Sequence, residues 1–514
     1  MLLFILALSI LTAANIFRVG IVYADDLSFH FYRIMAIVDN IKIGKYVPVY
    51  FNYLNGFGYA NGLFYPDLFL IIPAFLNYIG LHITTAYKIF VILINFAAIY
   101  TMYLCTYKIS KEKKCAYIGM TLYAISNYRL IDFIERGSLG EMLSFIFIPL
   151  VILGLYEILY DAEKQGYYLS IGLSGLCSSH VISFYITCIF TIVILIINIR
   201  QLRDKKRLKS LIINIILPML ITMHFWLPMI EQIVSDKFNF SVNVKIFENI
   251  VPLVALFIDY PLVKIFKVYL PAGIGLMYYI YMIKMIKQSK KDKFMLTITS
   301  MGIISIIFCS VKILWKIDIV YRILSFIQFP WRFYMFATIF FIISFSTMIK
   351  DVKINKTMKI YFSYTVIICI LNIILHFNVF TLIGPISTEI MMGEYMPENA
   401  TIETIINYNS KDITYERDNN ILNVTIIKNK ETVELPLLYY KGYKACNEKC
   451  YEVFKTENGL VGVKINNEKT GLKVWYNGTK IYNITKNISI AGVIILIYKI
   501  KKDSKKIYTS IINS

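Results

Sequence analysis

The chain has 514 residues, of which 57% are hydrophobic and only 17% are charged, and its formal net charge is +20. Soluble domains carry about 25% charged residues, so this composition excludes one or two soluble domains and favours a polytopic membrane protein. The positive charge does not indicate nucleic-acid binding, because much of the Lys and Arg falls in short clusters between apolar runs, as it does in cytoplasmic loops.

The N-terminal region is predicted to cross the membrane once and then to stay outside it. Residues 1–23 lack a basic n-region and an A-x-A cleavage site, and therefore indicate a retained signal anchor. Within the external segment 24–85 that follows, apolar residues at helical spacing predict an interfacial amphipathic helix over 26–43. Residues 55–62 form a turn-rich loop, and the apolar run 66–80 is so short that it is expected to re-enter the membrane or lie at the interface rather than cross.

The rest of the apolar pattern brings the predicted total to about twelve transmembrane helices. Five Lys/Arg clusters then fall on one side, which the positive-inside rule makes cytoplasmic, together with both termini. The spans after the first are expected near 86–107, 115–127, 140–160, 168–180, 181–199, 210–230, 271–287, 294–312, 331–349, 359–378 and 486–498.

A change of composition near residue 385 predicts a small β-rich domain on the extracytoplasmic side. The chain is thus expected to divide into a transmembrane domain, this domain and a final helix with a basic cytoplasmic tail, at residues 1–384, 385–485 and 486–514. Alternating apolar residues predict strands at 421–427, 431–439, 459–465 and 471–476. Cys446 and Cys450 lie in a polar loop of this domain, where a disulfide and free thiols both stay open.

The segment directly after the first span concentrates ionisable side chains. Asp25, Asp26, His30 and Arg33 fall within nine residues at the outer membrane face. The acidic pair either ends the span and caps the next helix, or supplies a general base whose partner orients it or binds a divalent cation. Arg33 either snorkels to lipid headgroups or binds a phosphate, and His30 is either an interfacial ring or a ligand contact.

A second group of charged residues is expected on the same side. Arg136 and Glu141 lie in the run Glu135-Arg136-Gly137-Ser138-Leu139-Gly140-Glu141, and Asp132 precedes Arg136 by four residues. A local salt-bridged helix, in which Asp132 pairs with Arg136, and a substrate site are both open. Glu141 begins an apolar span, where its carboxylate is poorly solvated. His180 sits at an outer membrane face and is either a packed residue or a functional one.

A third group is the run Gln328-Phe329-Pro330-Trp331-Arg332, again external and at the start of a span. Trp331 and Arg332 are ordinary headgroup-belt anchors, or they stack on a sugar and grip a phosphate together with Gln328. The chain contains no Walker A loop, HExxH or paired CxxC motif, which argues against an ATP-driven transporter subunit and a zinc protease.

The order of these motifs resembles the bacterial multispanning family labelled "6-pyruvoyl-tetrahydropterin synthase related" and the YfhO-like proteins, which are similar to the GT-C glycosyltransferase superfamily. The resemblance covers most of the chain, and it is the order of the motifs that is specific. The matching motifs are Asp25-Asp26 with His30 and Arg33, Phe64-Tyr65-Pro66, residues 135–141, Ser179-His180, Phe225-Trp226-Leu227-Pro228, residues 328–332, Glu394-Tyr395-Met396-Pro397 and residues 435–443.

The resemblance implies a GT-C-like membrane enzyme that moves a sugar from a polyprenyl-phosphate donor to an extracytoplasmic glycan or polymer acceptor. Asp25 and Asp26 match the position of the two-acid motif that supplies the base or holds a metal, so Mg²⁺ or Mn²⁺ stays open as a cofactor. They are adjacent rather than separated by one residue, which leaves open which of them acts. Arg33, Arg136 and Arg332 become candidates for the donor phosphate.

Two other classes of function compete with a transferase. A transporter or flippase for a lipid-linked saccharide predicts charges deep within spans and an internal repeat, whereas the charges here fall mostly at span ends. A lipid-linked polysaccharide polymerase or ligase would use similar substrates, and would favour a large external loop with its own arginines.

Overall fold

A computed structural model gives the structure of the chain, and its packing forms two compact units. The first unit comprises residues 1–30, 81–218 and 244–385, and the second comprises residues 31–80, 219–243 and 386–514. The residues that the structure describes are 1–22, 24–161, 164–240, 245–259, 273–290, 292–350, 356–377, 381–382 and 394–512.

The described residues are mostly helical. The α-helices are α1 Leu2–Thr12, α2 Leu27–Lys42, α3 Asn61–Phe64, α4 Ile71–Tyr78, α5 Ile83–Ser110, α6 Lys113–Ala124, α7 Asn127–Ile131, α8 Leu139–Tyr160, α9 Tyr167–Cys177, α10 Val181–Ile197, α11 Lys205–Ile221, α12 Met223–Ser235, α13 Leu276–Ser289, α14 Lys293–Ser310, α15 Asp318–Leu324, α16 Phe333–Met348, α17 Lys356–Phe377, α18 Ile402–Ile406 and α19 Lys480–Ile512.

Within the described ranges, six helices are long and apolar enough to cross a membrane, or up to seven if the bent pair α11 and α12 is one span. This confirms a helix-rich chain built like a membrane protein, whereas the predicted total of twelve spans is not shown. Two predicted spans, 115–127 and 168–180, correspond to helices of only 12 and 11 residues, α6 and α9. The predicted span 271–287 begins outside the described residues.

The first predicted span, residues 1–23, is helical only at its beginning. Helix α1 ends at Thr12, and a short 3-10 turn follows at Ala14–Phe17. The hydroxyls of Ser9 and Thr12 donate to the carbonyls one turn back, at 2.6 and 2.8 Å. Such back-bonding competes with regular helix and weakens it. The chain then becomes extended as β1 Ile21–Val22, which pairs antiparallel with β2 Thr381–Leu382.

Helix α8 runs through the interior of the first unit, and 89% of its most apolar 18-residue window is buried. It packs closely on α9, because at Gly154 an added Cβ atom would lie 2.1 Å from the backbone nitrogen of Leu169. Small residues at such a crossing let helix backbones approach each other. This packing fixes the orientation of α8, whose first turn carries Glu141.

The second unit contains the predicted β-rich domain. Its strands are β3 Ile413–Asp418, β4 Ile421–Ile426, β5 Thr432–Leu438, β6 Tyr443–Cys446, β7 Cys450–Lys455, β8 Leu460–Lys464 and β9 Gly471–Tyr476. They form one antiparallel sheet in the order β3-β4-β9-β6-β7-β8-β5.

The core of this sheet follows from alternation along the strands. Leu422, Val424 and Ile426 of β4 are buried while the residues between them are not, as a period of two requires. These side chains belong to one cluster with Phe51 and Phe57 of the segment before α3. The second unit therefore combines the β-rich domain with part of the external segment predicted to follow the first span.

Cys446 and Cys450 form a disulfide that closes the turn between β6 and β7. The other six cysteines are reduced, and five of those six are buried. Of the two alternatives left open by the sequence, the structure contains the disulfide.

Candidate functional site

A π-helical turn organises the predicted second group of charged residues in the first unit. It spans Asp132–Arg136 and ends at Gly137, whose φ of +61° places it in the left-handed region. Helix α8 begins two residues later. Isolated π turns interrupt the regular spacing of side chains and are frequent at functional sites. Here the turn directs Asp132 and Arg136 toward Glu141 of α8.

The acidic pair is held against this turn by backbone hydrogen bonds. The amide of Asp25 donates to the carbonyl of Glu135 at 3.1 Å, and the amide of Asp26 donates to that of Arg136 at 2.8 Å. The side chain of Asp25 is exposed and that of Asp26 is half-buried. Thus the structure brings the acidic pair beside the second group of residues that the sequence singled out.

Close approach at Gly137 makes this arrangement sensitive to a single methyl group. A Cβ atom on Gly137 would lie 2.7 Å from the Cβ of Ala24, which immediately precedes the acidic pair. Real Cβ atoms essentially never come this close, so any other residue would push the two segments apart.

Glu141 lies at the centre of the cluster and is fully buried. Its Oε1 accepts from Nε of Arg332 at 2.7 Å, and its Oε2 accepts from Nη1 of Arg136 at 2.8 Å. The hydroxyl of Tyr128 also donates to Oε2, at 3.2 Å. Three donors compensate the buried carboxylate, as a buried charge requires.

Asp132 is the second buried carboxyl, and it is less fully compensated. Its Oδ1 accepts from Nη1 of Arg136 at 2.9 Å, while Oδ2 has no hydrogen-bond partner among the described residues. Burial raises the pKa of Asp132 well above its ordinary value, and the charges of Glu141 and Asp26 raise it further. Burial therefore favours the protonated form of Asp132, whereas the charges of Arg136 and Arg332 oppose this shift of its pKa.

The third predicted group surrounds Arg332. Its Nη1 donates to the carbonyl of Ile327 at 2.6 Å and to Oε1 of Gln328 at 3.0 Å. Gln328 itself has a left-handed φ of +66°. The ring of Trp331 stacks on that of Phe329 at 4.4 Å, and the guanidinium of Arg332 lies 5.1 Å from the Phe329 ring. The run 328–332 is thus a compact turn that aims Arg332 at Glu141.

The two histidines predicted as site residues, His30 and His180, both contact the first turn of a helix. His30 is buried, and its Nε2 accepts from the backbone N–H of Leu139 at 3.1 Å, at the start of α8. His180 caps α10, where its Nδ1 accepts from the backbone N–H of Ser183 at 3.3 Å. Both rings satisfy helix N–H groups that have no partner within the helix. His180 also lies close enough to Glu141 for their charges to interact.

Arg33 belongs to the second unit. It is buried, its Nη2 donates to the carbonyl of Pro66 at 2.5 Å, and its guanidinium lies 4.2 Å from the centre of the Tyr65 ring. Its charge also opposes the burial that raises the pKa of Asp67. These contacts tie Arg33 to the Phe64-Tyr65-Pro66 motif.

Sequence reasoning missed the part played by Tyr128 and took Asp132 for one end of a local pair. The spacing of Asp132 and Arg136 did indicate their salt bridge, which the structure contains. Nothing in the local pattern indicated that the same guanidinium also binds Glu141. A tyrosine next to an arginine in an apolar chain carries no signal that separates it from an interfacial anchor.

A divalent cation at Asp25 and Asp26 stays a prediction. Carboxylate oxygens are the ligands that Mg²⁺ and Mn²⁺ prefer, and Oδ2 of Asp132 lacks a donor. However, no group of three or more His, Cys, Asp or Glu side chains within the described ranges is arranged to hold a metal ion.

Comparison with known proteins gives no functional assignment. No protein-family model matches the chain. The chain is similar to an uncharacterized protein of Lactococcus lactis subsp. cremoris (strain MG1363), with 22% identity over 247 residues. The match covers 46% of this chain and 40% of that protein, so it spans less than half the length of either.

Proposed function

We propose that this chain is a membrane glycosyltransferase of the GT-C type, with about twelve transmembrane helices and its acidic pair on the extracytoplasmic side. It would transfer a sugar from a polyprenyl-phosphate donor to a glycan, teichoic acid or similar acceptor of the cell envelope. The observation that carries this proposal is the backbone pairing of Asp25 and Asp26 with Glu135 and Arg136. That pairing holds the acidic pair beside Arg136, whose guanidinium binds Glu141 together with that of Arg332.

The proposed reaction is a single inverting displacement. The acceptor oxygen forms a bond to the anomeric carbon while the bond from that carbon to the phosphate oxygen breaks. Asp25 or Asp26 takes the proton of the acceptor hydroxyl as general base, and the lipid phosphate leaves with the electron pair of the broken bond. Asp25 is the more exposed of the two, and the charge of Asp26 acts on Asp132, so the two variants will distinguish their roles.

Arg136 is the proposed contact for the leaving phosphate. It bonds to both Asp132 and Glu141 through Nη1, which leaves the Nε and Nη2 edge of its guanidinium for a ligand. Its side chain keeps 15% exposure, against 8% for Arg332. Fixed donors aimed at a developing negative charge are a large source of catalysis, because they need no reorganisation during the reaction. Glu141 would then act as a positioning residue that holds both arginines.

The test uses the purified full-length chain in proteoliposomes, with radiolabelled polyprenyl-phosphate hexose or N-acetylhexosamine and a cell-envelope extract as acceptor. Asp25→Asn and Asp26→Asn are compared with wild type and with Asp318→Asn, an exposed control in the same unit. If the proposal holds, label is transferred, and one of the two variants loses about 100-fold or more of the rate. Equal transfer by both variants and the control would overturn the acidic pair as the base.

A flippase for a lipid-linked saccharide is the second candidate. It is favoured by the fully buried Glu141 at the start of an apolar helix, since intramembrane charges commonly mark transport pathways. The same proteoliposomes separate the two functions. Label that crosses the bilayer and stays attached to its lipid supports the flippase, whereas label that becomes attached to the acceptor supports the transferase. A polymerase or ligase would lengthen the acceptor by many sugars at once.

A further inference from the structure

A small pocket in the second unit has a lining unlike that of the charged cluster. Its volume is about 80 Å³, and it opens between α2, the segment after α2, and the turn that joins β3 to β4. Its walls carry amide and aromatic side chains, with one carboxylate and one ammonium group. The lining includes Asp39, Lys42, Asn52, Tyr53, Asn419 and Asn420.

The charges of the pocket compensate each other. Nζ of Lys42 lies 3.6 Å from Oδ1 of Asp39, three residues earlier on the same helix. A divalent cation needs six or more oxygens and usually several carboxylates, and Asp39 is the single carboxylate that lines the described pocket. For an anion, the described lining offers one cationic side chain, Lys42, whose charge is already compensated by Asp39. The balance therefore favours an uncharged ligand.

The amides are placed to bind hydroxyl groups. Asn419 adopts a left-handed φ of +53° in the β3–β4 turn, and its Nδ2 donates to Oδ1 of Asp418 at 2.9 Å, which fixes its orientation. Asn52 is exposed and Asn420 half-buried, and neither amide makes a side-chain hydrogen bond among the described residues. Each amide offers both donors and an acceptor, the combination that neighbouring hydroxyls of a sugar ring require.

The aromatic wall is rigid. The ring of Tyr53 packs edge-on against Tyr32 with 4.1 Å between ring centres, and Tyr50 pairs through its backbone with Tyr59 at 2.8 and 3.1 Å. On the other side, Nη2 of Arg417 donates to the carbonyl of Pro436 at 3.0 Å, which anchors β3 next to the β3–β4 turn. Preformed pockets with an apolar wall and a few convergent polar groups are the usual form of small-molecule sites.

From these observations we infer that the pocket binds a neutral saccharide, with the hydroxyls on Asn52, Asn419 and Asn420 and one face of the ring on Tyr53. The small volume of about 80 Å³ suits a single terminal sugar unit rather than a longer stretch of glycan. This binding needs no transfer of the sugar and does not rest on the transferase proposal.

The test is titration of the purified full-length chain in detergent with the methyl glycosides of glucose, galactose, mannose and N-acetylglucosamine, followed by calorimetry. Asn52→Ala and Asn420→Ala are compared with Asn409→Ala, an exposed asparagine of the same unit that does not line the pocket. We expect at least one glycoside to bind, and each pocket variant to weaken it about tenfold, the loss expected when a hydrogen-bonding group is removed. The control should bind as wild type does.

Three results would overturn the inference. The first is that none of the four glycosides binds. The second is that Asn409→Ala weakens binding as much as the pocket variants do. The third is that the acyclic polyol sorbitol, which has no ring to place on Tyr53, binds as tightly as the glycosides. Titration with CaCl₂ is run in parallel, and tighter binding of Ca²⁺ that is lost in Asn52→Ala would assign the pocket to a cation instead. Thermal unfolding of each variant confirms that a loss of binding is not a loss of folding.

Discussion

Arg332 donates from Nε to Oε1 of Glu141 at 2.7 Å, although 191 residues separate the two in the chain. Both side chains are buried, and Arg136 completes the group from the other side of the same carboxylate. One carboxylate thus holds two guanidinium groups that the sequence placed in separate candidate sites. Removing any member would leave a buried charge without its partner, which is far more costly than losing an exposed pair.

The first prediction concerns the stability of this group. Glu141→Gln keeps the shape of the side chain but removes the charge that compensates Arg136 and Arg332. We expect the free energy of unfolding to fall by about 3–5 kcal/mol, the cost of breaking a buried ion pair from one side. Thermal unfolding of the purified protein in detergent measures the change as a lowered Tm.

The matched control for this prediction is Glu248→Gln. Glu248 pairs with Lys245 at 3.0 Å, but both side chains are more than 60% exposed. Exposed pairs contribute about 0–1 kcal/mol, so the Tm of this variant should stay close to that of wild type. Equal shifts in the two variants would contradict the account of Glu141 as the centre of the cluster.

The second prediction concerns pH. Burial raises the pKa of Asp132 in the folded chain, so folding favours its protonated form. Its contribution to stability is fully present below the unfolded pKa of about 3.9, and is lost as pH rises from there through the raised folded pKa. Asp132→Asn fixes the neutral form. The difference in Tm, wild type minus Asp132→Asn, should therefore fall as pH increases over this range.

The comparison with Asp132→Asn cancels the titration of the other carboxyls, which both proteins share. Unfolding is followed at a series of pH values in one detergent and at constant ionic strength. A difference in Tm that stays constant with pH, or that rises, would mean that Asp132 is ionised in the folded chain and fully paired with Arg136.

The parts of the fold that could be predicted are those whose signal is local. Alternation of apolar residues placed strands β4, β5, β8 and β9 to within a residue or two. Helical spacing placed α2, predicted over 26–43 and observed over Leu27–Lys42. In each case the buried face repeats within a few residues, so a short window of sequence contains the information.

The parts that could not be predicted depend on contacts between distant segments. Strands β3, β6 and β7 carry charged or polar residues on their exposed faces and were missed, because their partners in the sheet define them more than their own pattern does. Helix α1 ends at Thr12 inside an apolar run that hydropathy alone extends to residue 23. Likewise, no local pattern indicates that Glu141 forms a salt bridge with Arg332.

The third prediction concerns the disulfide. Cys446 and Cys450 close a turn between adjacent strands, so the loop is short and the chain-entropy estimate for its contribution is only about 2 kcal/mol. Cys446→Ser with Cys450→Ser should lower the Tm modestly and leave the β-rich domain folded. Thiol labelling of the denatured wild type, counted by mass spectrometry, should give six labels without reductant and eight after reduction, matching the six free cysteines. Eight labels without reductant would contradict the disulfide.

The fourth prediction concerns the close contact between Gly137 and Ala24, next to the acidic pair. Gly137→Ala adds a Cβ atom 2.7 Å from that of Ala24 at a φ of +61°, whereas Gly44→Ala meets nothing within 4 Å at a nearly equal φ of +66°. Both variants carry the backbone cost of a left-handed alanine, about 1–2 kcal/mol. Only Gly137→Ala must also push residues 24–26 away from Glu135 and Arg136.

Hydrogen exchange followed by mass spectrometry measures this displacement directly, because the amides of Asp25 and Asp26 donate hydrogen bonds to the carbonyls of Glu135 and Arg136. We expect faster exchange of these amides in Gly137→Ala and unchanged exchange in Gly44→Ala, together with loss of transfer activity in the first variant alone. Protection of both amides in Gly137→Ala would mean that the acidic pair is held by other contacts, and that its place beside Arg136 does not depend on a glycine at this turn.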